Sequence, residues 1–458
     1  MFNLLLHKFY IVSGSFCKIV FGFLLIFSPD LLFGQFAYKS RSEDFALSKS
    51  FSDSLSNSKR EVKIGGEIRE YLQSYQNLNF GQIPASFSDP NPTQLWHRVL
   101  FNTSFKLGNH FRIFGQLNST FRLFNPNPIV SQVDQNSLSI QQLFGEFKLS
   151  KHSILRLGKM ETYFGNDRLM ANREGPNNRN SYVGVNIRRY FPKVQLDAFY
   201  LHPMIQKPEF LNDQIADENI SGVYFSNWKL TKNAAFDVYG MYLESNAREY
   251  LYKSGHEQRL TLGSRIFKTT GKWQYVFENA FQGGKFNDLT IGAFMSIWDV
   301  SYAVSKKVSL AFSGTYVPGD TDSNDDKLGT FNTLFAKPPF GQTVALNITN
   351  MVNWSPYIKY QLHPKSFVIL RTSLVSRAST NDGIYTPNMQ QYRPTANKLT
   401  SSNLTKVTDM YVVEWNLFPN KSIQTLLEFG YSKAGDYLKE TGAGKDVTYI
   451  AWRGAYRF

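Results

Sequence analysis

The 458-residue chain predicts an all-β protein, a single antiparallel β-barrel of about 18 strands that spans a membrane. Three observations predict it. From residue 62 onward, segments of about ten residues alternate apolar and polar side chains, the period of a strand with two unlike faces. The connections between these segments alternate short and long along the chain. The last segment, DVTYIAWRGAYRF, sets Ile450, Trp452, Tyr456 and Phe458 on one face and Tyr449, Arg453 and Arg457 on the other, and it ends in an aromatic residue.

The elements follow in order. Residues 1–35 read as a secretory address. Lys8 and Lys18 occur without an acidic neighbour, an apolar run fills 19–27, and Pro29 and Asp30 break it before a small-residue exit between Gly34 and Ala37. The apolar core is shorter than the ~20 residues a spanning helix needs. Residues 36–60 carry Ser, Lys and Asp without apolar periodicity and read as a flexible leader. The barrel, 61–458, holds eighteen segments near 62–72, 95–107, 111–124, 138–150, 153–161, 181–190, 194–202, 220–230, 235–244, 257–267, 272–282, 288–302, 307–317, 347–361, 366–378, 407–418, 422–432 and 446–458. In 99–107, Val99, Phe101, Thr103, Phe105 and Leu107 share one face. Arg98, Leu100, Asn102, Ser104 and Lys106 share the other.

Short connections are expected at 108–110, 151–152, 191–193, 231–234, 268–271, 303–306, 362–365 and 419–421. Long ones are expected at 73–94, 125–137, 162–180, 203–219, 245–256, 318–346, 379–406 and 433–445, with 283–287 a short exception. An outer-membrane barrel with both termini in the periplasm has short periplasmic turns and long extracellular loops, and an even strand count puts the short turns where these fall. A sheet in lipid must close on itself, because lipid offers its backbone no hydrogen-bond partners. Eighteen strands then enclose a water-filled lumen rather than a side-chain core.

Composition excludes other classes. The chain is 42% hydrophobic and 16% aromatic, too apolar for disorder. Its one cysteine, Cys17, precludes a disulfide framework and a CxxC metal site. No apolar run of 18 residues occurs outside the extreme N-terminus, which excludes a helical membrane protein. The formal net charge is +14. If the apolar face meets lipid, alternation turns Arg98, Lys106, Arg112, Arg122, Arg156, Arg188, Arg259, Arg265, Lys359, Arg371, Arg377, Arg453 and Arg457 inward. Glu146, Asp197, Glu278 and Glu428 are interspersed among them. Rings of Arg and Lys favour anions, and low-dielectric walls focus their field. Alternatively, these arginines pair with acids across the lumen and only stiffen the wall.

Residues 154–202 contain Arg156, Gly158 and Lys159, then Tyr163 or Phe164 with Gly165, Asp167, Arg168 and Leu169, then Tyr182, Val183 and Gly184. In that order they resemble the alginate-export family of outer-membrane porins, whose pattern runs Arg-x-Gly-Arg-Gln, Tyr-Gly-Asp-x-Arg-Leu and Phe-Asp-Gly. Lys159 and Met160 replace Arg and Gln, Asn166 is inserted, and Val183 replaces Asp. Residues 319–341 and 376–387 are similar to further blocks of the family. The resemblance implies an eighteen-stranded barrel with an electropositive pore that passes a negatively charged polyuronate. It implies a selective constriction at Arg156, Lys159, Arg168, Arg179 and Arg188. Arg112, Arg122, Arg265, Arg371 and Arg453 join that set by their inward parity.

Other constellations carry less. Asp320, Asp322 and Asp325 are weak candidates for a divalent cation, because an EF-hand loop needs Gly and a carboxylate where Asp325 and Phe331 stand. His256 with Ser254 or Glu257 is the best pair for a rim hydrolase, without a third group to orient it. Trp96, Trp228, Trp273, Trp298, Trp354, Trp415 and Trp452 suit interfacial girdles, while inward aromatics such as Trp96 and Phe114 suit sugar stacking. Positive charge is spread over every strand, which argues against nucleic acid. The expectation is therefore a monomeric channel for an anionic solute in the outer membrane of a Gram-negative bacterium, with lipid as its other partner. It needs no cofactor and performs no catalysis. The alternatives are a structural or adhesion barrel with a plugged lumen and the rim hydrolase.

Overall fold

A computed structural model describes residues 60–129, 134–250, 253–322, 324–393 and 402–458. The address at 1–35 and the leader, up to residue 59, lie outside the described residues. Eighteen strands form the wall: β1 Arg60–Gln76, β2 Thr93–Leu107, β3 Phe111–Leu123, β4 Asn136–Ser150, β5 Ser153–Met160, β6 Tyr182–Tyr190, β7 Gln195–Ile205, β8 Glu218–Thr231 and β9 Ala234–Tyr250. The second half is β10 Lys253–Thr270, β11 Trp273–Phe286, β12 Leu289–Ala303, β13 Val308–Val317, β14 Met351–His363, β15 Ser366–Arg377, β16 Lys406–Leu417, β17 Ile423–Ala434 and β18 Val447–Arg457. Each pairs antiparallel with its chain neighbours, and β18 pairs back with β1 from Glu67↔Arg457 to Gln76↔Thr448. The sheet thus has no open edge, as a lipid environment demands.

The pleat sorts the side chains. Phe101, Phe105, Ile113, Leu117, Phe121, Leu262, Leu370, Trp415, Leu427 and Trp452 stand exposed on the outer face, while Arg98, Lys106, Arg112, Gln116, Asn118, Arg259 and Arg453 are buried inside. Trp228, Trp273 and Trp354 are likewise exposed, whereas Trp96 faces inward and is buried. Eight tight hairpins close one end, the same end at which β1 starts and β18 finishes. Seven of them carry an exposed lysine: Lys151, Lys193, Lys232, Lys272, Lys306 with Lys307, Lys365 and Lys421. The eighth carries His110.

The opposite end departs from expectation in two ways. The long loop expected at 245–256 is mostly strand, since β9 runs to Tyr250 and β10 starts at Lys253. A register shift between Ser245 and Arg248 hides the continuing alternation. More consequentially, the lumen is not water-filled throughout. Connections 161–181 and 318–350 fold into the barrel and pair with each other through Phe335 N–H to Leu169 O (2.8 Å), Ala171 N–H to Phe335 O (3.1 Å) and Lys337 N–H to Asp167 O (2.9 Å). Leu169, Met170, Phe331, Leu334 and Phe335 pack there against Tyr182, Leu201, Ile220, Leu243 and Met295 of the inner wall. A second buried cluster gathers Leu346, Ile384, Tyr437 and Leu438 beneath the connections that follow β15 and β17.

Gly158 of β5 lies in register with Gly184 of β6, and both have positive φ, 128° and 155°. A Cβ would fall 2.3 Å from the Leu143 carbonyl oxygen at one and 2.1 Å from that of Tyr200 at the other. Only glycine permits this local bend of the wall beside the in-folded loop.

Candidate pore and its basic wall

A cavity of about 850 Å³ runs from the hairpin end of the barrel to the in-folded loop. Its walls include Arg112, Arg156, Arg188, Arg265 and Arg457 of the strands and Arg179 of the loop, with Glu67, Glu161, Asp197 and Asp237 among them. Strand parity aims each strand residue inward, and residues 161–166 with Arg179 bound the cavity on the long-loop side.

The charges are not evenly matched around the bore. On the β1–β5 side, arginines share carboxylates. Glu146 accepts from Arg112 (Nε, 2.8 Å) and from Arg156 (Nε, 3.0 Å). Glu67 accepts from Arg98 (3.1 Å) and Arg457 (2.9 Å). Glu174, on the in-folded loop, accepts from Arg98 and from Arg179 (3.0 Å), and lies 3.5 Å from Arg69. Arg179 also meets Glu161 at 3.0 Å. Burial pushes the Glu174 carboxyl up, but the guanidiniums of Arg98, Arg179 and Arg69 outweigh it and hold the group well below the usual carboxylate range. Six guanidiniums here face four carboxylates. Further round the wall, from β6 to β12, three arginines have an acid each: Arg188 donates to Asp197 (2.8 Å), Arg265 to Asp237 (2.9 Å), and Arg168 stands 3.8 Å from Asp299. Glu278 adds a further carboxylate, bonded by the Tyr239 hydroxyl (3.1 Å).

Aromatic rings back the arginines. Arg156 sits 4.3 Å over Phe144, Arg112 5.7 Å over Phe114, and Arg453 5.7 Å over Tyr71. The guanidinium planes are thereby held against apolar faces that cannot compete for their N–H groups.

The expected site residues separate into groups. Arg112, Arg156, Arg179, Arg188 and Arg265 line the cavity together. Arg168, on the in-folded loop, faces Asp299 of β12. Arg371 and Arg453 face inward on β15 and β18, Arg371 stacked 4.8 Å from the Tyr357 ring. Arg122 is held at the long-loop end by Asp134 (3.3 Å) and the Asn127 carbonyl. Lys159 is a correction. It lies in register with the outward, exposed Leu143, and its ammonium bonds Asp213 at 2.7 Å. It shares the outward parity of Leu157, so it does not line the bore.

The sequence reading missed Glu67, Arg69 and Glu174. Arg69 is buried and donates to the carbonyls of Glu174 (2.8 Å) and Pro176 (2.7 Å), pinning the loop. Ile68 and Leu72 face outward, so parity alone would have turned Glu67 and Arg69 inward.

Asp320, Asp322 and Asp325 serve turn backbones instead: Asp320 accepts from Asp322 N–H (3.3 Å), Asp322 from Asn324 N–H (3.0 Å) and Asp325 from Lys327 N–H (2.9 Å). Among the described residues no three His, Cys, Asp or Glu side chains gather to hold a metal ion. The His256 ring meets Glu244 at 3.5 Å on the outer side, while Glu257 turns inward to Arg259 and Tyr250.

A closed eighteen-stranded barrel with a lipid-compatible outer face and a charged inner cavity is an outer-membrane channel. The chain belongs to the alginate export family, whose sequence profile matches residues 60–450. Its fold is similar to OpdK of Pseudomonas aeruginosa (TM-score 0.60, 10% identity, covering 87% of this chain and 98% of that one). It is also similar to OccK2 (OpdF) of the same species in complex with glucuronate (TM-score 0.58, 9% identity, 87% and 98%) and to OpdK with vanillate (TM-score 0.58, 11% identity, 87% and 98%). No curated protein matches the chain in sequence. The family places the chain in a Gram-negative outer membrane, as a channel and not an enzyme.

Proposed function

We propose that the channel passes an anionic solute, specifically a carboxylate-bearing sugar such as a uronate or polyuronate, along the β1–β5 wall. One observation carries this: on that wall six guanidiniums face four carboxylates, so the lining keeps an excess of positive charge toward the bore. Arg binds carboxylates bidentately and cannot be deprotonated. Side chains on the bore are part-exposed to it, 20% for Arg156, 25% for Arg168 and 33% for Arg188. Existing partners compete for these donors, which keeps each solute site weak enough to release its occupant. The family's name and the glucuronate named with OccK2 support the choice of uronate. One chain supplies the whole lining, so we take the working unit to be a monomer, exported by its 1–35 address.

The test is planar-bilayer recording of the purified chain in a KCl gradient, with glucuronate or a short oligouronate added at low salt. The reversal potential is expected on the chloride side, with current block by the uronate. Cation selectivity, or no block, would overturn the proposal. The packed loops at 161–181 and 318–350 favour a second reading, a barrel closed at rest. Complete absence of conductance in the same recording would favour it.

A further inference from the structure

We propose that the hairpin rim binds anionic phospholipid headgroups of the periplasmic leaflet around its whole circumference. Seven of the eight short turns carry an exposed lysine and the eighth a histidine, while none contains Asp or Glu. Carboxylates collect instead in the connections at the other end, such as Asp213, Asp326 and Asp436.

Two further cations sit on the lipid-facing side just above the turns. Arg189 shares the outward parity of exposed Ile187, and its guanidinium lies 5.1 Å over the Phe191 ring. Lys268 shares the outward parity of exposed Ile266 and stands in register with Tyr275. A lipid-facing cation is costly at the bilayer midplane and nearly free at the interface. The aromatic side chains mark that interface: Trp273 follows Lys272 directly and is exposed, and the Lys272 ammonium lies 5.9 Å from the Tyr302 ring. Turn lysines and outward cations therefore lie at the level of the headgroup phosphates. A docked protein would meet one sector of the rim. A basic residue on every hairpin presents the same chemistry in all directions, as a surrounding leaflet does.

The experiment is native mass spectrometry of the full chain released from detergent containing equal phosphatidylglycerol and phosphatidylcholine of matched acyl chains. Phosphatidylglycerol is expected to be retained preferentially. The variant Lys272→Gln, Lys306→Gln, Lys307→Gln and Arg189→Gln is expected to lose that preference, by roughly fivefold for each cation that contacts a headgroup. These side chains are exposed, so the variant should keep the heat-resistant mobility of the folded barrel, which is checked on the same sample. Equal retention of the two lipids, or a preference unchanged in the variant, overturns the proposal. So does binding of polyglutamate by the rim without any lipid preference, which would make it a protein-docking surface. A variant that alters anion selectivity but not lipid retention would assign the rim to the pore mouth and overturn it as well.

Discussion

Glu146 divides its two oxygens between Arg112 and Arg156, and that sharing sets what each substitution does. Removing both guanidiniums by Arg112→Gln and Arg156→Gln leaves a lone carboxylate on the bore and takes two cations from the wall. The reversal potential in a KCl gradient should move toward zero or past it, and a reversal potential identical to that of the parent would remove these residues from the selective path. Lys159→Gln is the matched contrast. Its ammonium lies on the outer parity against Asp213, so selectivity should stay within error of the parent in the same recording. Glu174→Gln acts differently, because its carboxylate is the shared acceptor for buried arginines. Stripping one partner from a buried ion pair typically costs about 3–5 kcal/mol, and the amide recovers part of that through its one oxygen. The 161–181 loop should loosen and single-channel conductance should rise. Unchanged conductance would mean that the Arg69 bonds to the loop backbone hold it alone.

Among elements, the strands were legible and the destinations of the loops were not. All eighteen segments stand near their expected places, because lipid on one side and polar bore on the other impose period two on every strand. Arg156 and Arg188 could be turned inward by that period alone. The same count from Arg156 turns Lys159 outward, so the family pattern misled where parity did not. Nothing local announces that 161–181 and 318–350 enter the lumen, since the contacts that draw them in are distant in sequence: Arg98 meets Glu174 and Arg259 meets the Thr330 carbonyl. The second of these loops carries a pH dependence. Burial lifts the Asp320 carboxyl to about 6, and Asp382, whose carboxylate accepts the Asp320 N–H at 2.8 Å, is also raised by burial. Both packed groups hold a proton more tightly than a free aspartate near 4 does. The packing is thus strongest below pH 4 and weakens as pH rises through 6. Open probability is expected to increase between pH 5 and pH 7.5, and Asp320→Asn, which mimics the protonated group, should flatten the change. A parent channel insensitive to pH over that range would contradict this assignment.

At the scale of the whole molecule, closure depends on one seam between the two ends of the chain. β1 pairs with β2 from Arg60↔Leu107 to Ser74↔Thr93, but with β18 only from Glu67 onward. Beyond Glu67 the seam is finished by backbone bonds between Gly66 and Phe458, 3.0 Å from Gly66 N–H to Phe458 O and 3.2 Å from Phe458 N–H to Gly66 O. The Arg457 guanidinium adds its bond to Glu67. There is no room for a side chain here: a Cβ on Gly66 would lie 2.4 Å from the Leu100 carbonyl oxygen and 2.7 Å from the Phe458 ring. Gly66→Val must therefore push the last residue off the seam and leave the backbone groups of Gly66 and Phe458 unpaired, a cost that grows the less water reaches them. Gly292→Ala provides the control, because its Cβ would meet nothing within 4 Å. On semi-native gels the Gly66→Val barrel should convert to the unfolded mobility at a lower temperature than the parent, and Gly292→Ala should convert with the parent. Equal heat resistance of all three would show that the barrel stays shut without the Gly66–Phe458 bonds, and that the ladder from Glu67 to Gln76 is sufficient to hold eighteen strands in a ring.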